Sequence, residues 1–113
     1  MTQYRKGVSF EYLVRDYLRA QGYICFRSAG SHGCADIIAW SKDEILFCQC
    51  KKEGKRRDNY VREKEEMAKV PVPSCGKRLF WVRRGNMVFV YPIGAPGHVR
   101  EFDIKVMLRV VGT

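Results

Sequence analysis

Asp36 is followed thirteen residues later by Gln49-Cys50-Lys51. An acid, an amide oxygen and an amine so spaced suit the hydrolysis of a phosphate ester at a divalent cation. Hard ions such as Mg²⁺, with Mn²⁺ as a substitute, are held by a few protein oxygens together with waters and substrate phosphate oxygens. The Asp36 carboxylate, the Gln49 amide oxygen and the main-chain carbonyl of Cys50 could supply those oxygens, and Lys51 could orient or deprotonate the attacking water or hold the phosphate. Side chains repeat every two residues along a strand, so Gln49 and Lys51 share one face while Cys48 and Cys50 share the other. Taken alone, the same residues also suit plain solvated positions at strand ends.

The charge points to a polyanionic partner. The chain has 113 residues, 21 Lys and Arg against 12 Asp and Glu, and a formal charge of +9, which favours nucleic acid over an anionic membrane because no cationic amphipathic anchor stands out. The run Lys51-Lys52-Glu53-Gly54-Lys55-Arg56-Arg57 directly follows the candidate site. A cationic loop there would take phosphates flanking the one attacked, and its affinity would fall steeply with salt. Arg5, Lys6, Arg62, Lys64, Arg78, Arg83 and Arg84 could extend the surface. Five cysteines without a Cys-x-x-Cys pair, beside two histidines, argue against structural zinc and for reduced apolar side chains. No apolar run nears the roughly 20 residues of a membrane span, and the N-terminus lacks a signal-peptide stretch. The expected location is the cytosol, whether the gene is cellular or viral.

Certain elements must position these groups. Phe10, Leu13, Val14, Tyr17 and Leu18 form the apolar stripe of a helix over residues 4–21, closed by Gly22. Residues 23–27, 34–40 and 45–51 predict three strands of an antiparallel meander. Asp58 or Asn59 is expected to cap a helix running to about Val70, stopped by Pro71 and Pro73. Leu79–Arg84 and Met87–Tyr91 flank Gly85-Asn86 and predict a hairpin. Residues from Asp103 to Val111 fit a short helix capped by Asp103 or a strand. The expectation is one α+β domain over residues 1–113, layered α/β/α, with a mixed five-stranded sheet flanked by helices. Phe80, Trp81, Val82, Met87, Phe89 and Tyr91 make the hairpin apolar on both faces, which fits a dimer surface or a doubly covered central strand.

Several blocks occur in an order that resembles one family: Tyr4-Arg5-Lys6-Gly7, Glu11, Arg27-Ser28-Ala29-Gly30-Ser31, Asp36-Ile37-Ile38-Ala39 and Gln49-Cys50-Lys51. Together they resemble the archaeal-type Holliday junction resolvases, nucleases of the PD-(D/E)xK superfamily with a restriction-endonuclease-like fold. The resemblance implies a metal-dependent endonuclease for four-way DNA junctions that works as a homodimer. It casts Glu11 as the first-helix glutamate, Asp36 as the metal-binding aspartate and Lys51 as the catalytic lysine. Arg27 and Ser31 stand for the loop that holds substrate phosphate, with His32 beside them. The implied catalytic set is Glu11, Ser31, Asp36, Gln49 and Lys51; the implied metal set is Glu11, Asp36, Gln49 and Cys50. DNA contacts fall to Arg5, Lys6, Arg27, Ser31, His32, Lys52, Lys55, Arg56 and Arg57.

Three departures accompany the resemblance. Gln49 stands where the family has a second acid, Ala35 where the superfamily has proline, and Tyr12 where an arginine often follows the helix glutamate. Glu11 has a local alternative as the one-turn partner of Arg15. Rival readings are a nuclease for other branched repair intermediates, a structure-selective DNA-binding protein whose site has decayed at Gln49, and a basic RNA-binding scaffold.

Overall fold

The computed structural model describes residues 8–28 and 35–112, with side chains from residue 10 onward. Arg5, Lys6, Ser31, His32 and Cys34 lie outside the described residues. Element order is α1 (Val8–Ala20), β1 (Ile24–Arg27), β2 (Ile37–Trp40), β3 (Ile45–Lys52), α2 (Val61–Ala68), β4 (Gly76–Arg84), β5 (Met87–Ile93), β6 (Arg100–Asp103) and α3 (Ile104–Val111). The strands form one mixed sheet in sequence order. Neighbours are antiparallel except at the centre, where β3 and β4 run parallel, joined by the crossover that contains α2. A parallel pair needs such a long connection, whereas antiparallel neighbours close through short turns.

The sheet has six strands, not five. Arg100–Asp103 pairs with β5, with Met87 opposite Asp103 and Val90 opposite Arg100. Its four residues, Arg-Glu-Phe-Asp, carry too little apolar content to announce a strand. Asp103 then caps α3 as expected, its carboxylate accepting from the Lys105 amide at 2.8 Å. The cap expected for α2 is different. Tyr60 holds that position with left-handed backbone (φ 54°) and gives no side-chain cap. Asp58 instead accepts from the Tyr60 amide at 2.7 Å, forming the turn just outside the helix.

Two cores cover the two sheet faces. The stripe Phe10, Leu13, Val14, Tyr17 and Leu18 packs with Ile104 and Met107 of α3 against Cys25, Ile37, Ala39, Leu46, Cys48, Cys50, Trp81, Val88 and Val90. On the opposite face Tyr60 and Met67 pack on Phe80, Val82 and Ile93, with Phe47 and Tyr91 at the margin. The hairpin is thus apolar on both faces because both faces of β4 are covered, and Phe80, Trp81 and Val82 are core residues rather than a dimer surface. What stays open lies elsewhere: Ile24 and Phe26 on β1 are 57% and 65% exposed, and Phe26 meets Trp40 of β2 at 5.6 Å between ring centroids. Among the described residues no helix is long and apolar enough to cross a membrane.

Candidate nuclease site and nucleic-acid interface

Asp36 stands one residue before β2, at a bend. Its amide donates to the Cys48 carbonyl at 2.8 Å, while its carbonyl accepts from the Ser28 amide at 2.7 Å. Its backbone therefore serves β3 through one group and the β1 side through the other. A residue in straight strand directs both groups to one neighbour, so β2 leaves its line here. That departure would orphan the next amide of β3. The Asp36 carboxylate fills the gap: Oδ2 accepts from the Cys50 amide at 2.8 Å. A short acid does this because its oxygen reaches the position of a missing strand carbonyl. The other carboxylate oxygen lies outside that bond.

Strand alternation places the remaining groups. The Cys50 amide points to Asp36, so the Cys50 carbonyl lies on the same side of β3. Its thiol points into the core and is 7% exposed. Burial first, then the Cys48 thiol and the carboxylates of Asp36 and Glu11, push that thiol well above its usual range against the pull of Lys51. Cys50 can thus offer a cation its carbonyl but not its sulfur. Gln49 and Lys51 are half-buried on the opposite face from Cys50, and among the described residues Lys51 forms no ion pair.

Glu11, in the first turn of α1, ties the helix to the sheet. Arg27 Nη1 donates to Glu11 Oε1 at 3.0 Å; the local partner expected for Glu11, Arg15, pairs with Asp16 at 2.8 Å. Tyr12 lies between the two arginines, with each guanidinium 4.8 Å from its ring centroid. The tyrosine that displaces an arginine of the family pattern therefore serves as a platform holding Arg27 beside Glu11. Nothing in the spacing of residues 12 and 27 announces that contact.

The donor set fits a hard divalent ion. The Asp36 carboxylate, held at the Cys50 amide, and the Cys50 carbonyl and Gln49 amide of the adjoining strand end are oxygens of the kind such an ion takes together with water and phosphate. Among the described residues no three His, Cys, Asp or Glu side chains gather to hold an ion.

Of the cations expected at the DNA surface, Lys52 is exposed at the end of β3, and Lys55, Arg56 and Arg57 are exposed beyond it. Others are structural. Arg78 Nε donates to the Val70 carbonyl at 2.9 Å, Arg83 to the Gly85 carbonyl at 2.9 Å, and Lys64 lies 3.7 Å above the Tyr91 ring. Arg84 is the most committed, pairing with Glu53 at 2.9 Å with side chains 10% and 11% exposed.

Comparison with known proteins bears on the whole arrangement. A family model described as archaeal Holliday junction resolvase (hjc) matches residues 2–72. The chain is 36% identical to the crossover junction endodeoxyribonuclease Hjc of Methanocaldococcus jannaschii, over 96% of this chain and 83% of that protein. Its fold resembles that of Hjc from Archaeoglobus fulgidus, a Holliday junction resolvase from an archaeal hyperthermophile, with TM-score 0.62 and 17% identity over 91% of this chain and 93% of the other.

Proposed function

Because this chain belongs to the archaeal Holliday junction resolvase family, we propose that it is a metal-dependent, structure-selective endonuclease cutting phosphodiester bonds at four-way DNA junctions, with its site at Glu11, Asp36, Gln49 and Lys51. The observation that supports this most is the Asp36 carboxylate, fixed by the Cys50 amide at the strand end that also carries Lys51 and leads into the exposed cationic loop. Asp36, the Cys50 carbonyl and the Gln49 amide would hold Mg²⁺, with Mn²⁺ as substitute, and Glu11 would act directly or through water. Bound there, the cation supplies charge stabilisation to the phosphoryl oxygens and a more acidic water.

The protein groups do the rest. Lys51 would orient the attacking water or, as the free amine, take its proton, while the new P–O bond forms in line with the leaving oxygen, which departs with a proton from solvent water. Arg27, braced by Glu11 and Tyr12, presents a guanidinium to a flanking phosphate, and Ser31 and His32, outside the described residues, are assigned phosphate contacts by the family resemblance alone. Lys52, Lys55, Arg56 and Arg57 neutralise the backbone further along, and Arg5 and Lys6, outside the described residues, are proposed as further DNA contacts on their charge alone. Among the described residues no element resembles a base-reading helix, which supports recognition by backbone shape. The protein acts in the cytosol as a homodimer. A two-fold pair would present two sites to the paired strands of a junction, and the open apolar face around Ile24, Phe26 and Trp40 offers a second copy a surface near the site.

The test compares an end-labelled four-way junction with a linear duplex of matching sequence, with and without Mg²⁺ or Mn²⁺. Symmetric metal-dependent nicks near the branch are expected. Asp36→Asn should remove cleavage by about a thousandfold or more while changing junction affinity by less than about threefold. Loss of binding and cleavage together would reject this role for Asp36. Tight junction binding by the unaltered protein without cleavage in either metal would favour a structure-selective binding protein.

A further inference from the structure

The segment between β3 and α2 would be expected to splay. Lys55, Arg56 and Arg57 are consecutive like charges, preceded by Gly54 and fully in solvent, so repulsion and backbone freedom both favour a loose ensemble. The structure shows the opposite at the base of the loop. Glu53 accepts from the Asp58 amide at 2.9 Å, joining the two ends. Its own amide donates to the Arg83 carbonyl at 2.9 Å, continuing the β3–β4 ladder by one step.

Arg84, the last residue of β4, then bridges everything. Nε donates to Glu53 Oε2 at 2.9 Å, Nη2 to the Asp58 carbonyl at 3.0 Å and Nη1 to the Tyr91 hydroxyl at 2.8 Å. Its guanidinium also lies 5.0 Å from the Phe89 ring centroid. One planar fork thus links both ends of the loop to two neighbouring strands, a task a lysine point charge cannot perform. The Asp58 amide and then the guanidinium hold the Glu53 carboxyl below the usual range. Such a pair does little for stability compared with an apolar pair of similar size. Its evident product is a closed loop with three cations at its tip.

We propose that Arg84 and Glu53 are positioning residues that pre-form the cationic loop Gly54–Arg57 for the phosphodiester backbone beside the cleaved bond, and thereby set the preference for branched over linear DNA. Cations fixed in one arrangement match one backbone path and lose affinity for others, whereas mobile cations adapt to any duplex at an entropic cost. This rests on the reading of the site as a junction nuclease. Neither residue lies among the groups proposed to touch the metal or the scissile phosphate.

The experiment uses the full chain and the double variant Glu53→Gln, Arg84→Met, which removes the pair without stranding a half-buried charge. Binding to a four-way junction and to a linear duplex is measured over a salt series without divalent ions, and cleavage is measured at saturating junction with Mg²⁺. Junction affinity should fall about tenfold and duplex affinity by less than about twofold, with kcat at saturation held within about twofold. The milder Tyr91→Phe, which removes one bond to Arg84 and keeps the ring, should lower the junction-to-duplex ratio by about two- to threefold. Should the double variant fail to fold, Tyr91→Phe decides alone. Equal losses on both DNAs, no loss on either, or a fall in kcat without a change in binding would each overturn the proposal. Failure of the unaltered protein to cut the junction would instead reject the nuclease reading, whatever the binding ratios.

Discussion

A glutamine at position 49 keeps an oxygen donor but withholds the negative charge a second carboxylate would bring to a cation. The remaining charge is already shared: one Asp36 oxygen accepts from the Cys50 amide, and Glu11 is engaged by Arg27. A weakly charged donor set asks for more metal. Gln49→Glu is expected to lower the Mg²⁺ concentration for half-maximal cleavage by about tenfold, read from a metal titration of initial rates on a four-way junction. An unchanged midpoint would place position 49 outside the metal's ligands. Tyr12 contributes no charge of its own but offers its ring to the guanidinium groups of Arg15 and Arg27.

Elements were legible in the sequence in proportion to the apolar pattern that builds them. Among the described side chains of α1, the five stripe residues are the ones the structure buries, because helical period and burial are the same physical fact. The β1–β2–β3 meander and the Gly85 hairpin followed from alternation and turn chemistry, and Gly85 has the positive φ (60°) that such a turn requires. β6 was not legible, since a short edge strand of polar residues is defined by its neighbour's hydrogen bonds and not by its own side chains. The entry to α2 was hidden for a similar reason: Tyr60 is anchored by burial against Phe80 at 5.5 Å, and long-range packing overrides the local capping preference of Asp58. The cap of α3, by contrast, is local. Asp103→Ala should cost about 1 kcal/mol and lower the melting temperature by about 4 °C, as read by thermal denaturation. No change would mean that the Lys105 amide finds another acceptor.

At the scale of the molecule, the spacing of Asp36 and Gln49-Cys50-Lys51 was visible in the sequence and Glu11 came from the family resemblance, whereas the Arg27–Tyr12 stack and the Arg84–Glu53 clamp join residues far apart in sequence through geometry alone. The two-sided core also sorts the thiols. Cys25, Cys48 and Cys50 are buried, and burial raises all three, Cys48 to about 12, whereas Cys75 is exposed. Alkylation of the native protein near pH 8, followed by peptide mapping, should label Cys75 about a hundredfold faster than those three. Equal labelling of Cys48 would mean that the α1–α3 face opens readily. The sheet's order has a kinetic consequence as well. Its six strands are two local meanders joined at one parallel seam, where Ile45 meets Gly76, 31 positions away. Hairpins close in roughly microseconds, while closure across a long crossover is slower. A chain folding in that order brings Asp36, Gln49 and Lys51 together with its first meander and gains Arg84 only when the seam closes, so the proposed cleavage site forms before the clamp at the base of the cationic loop.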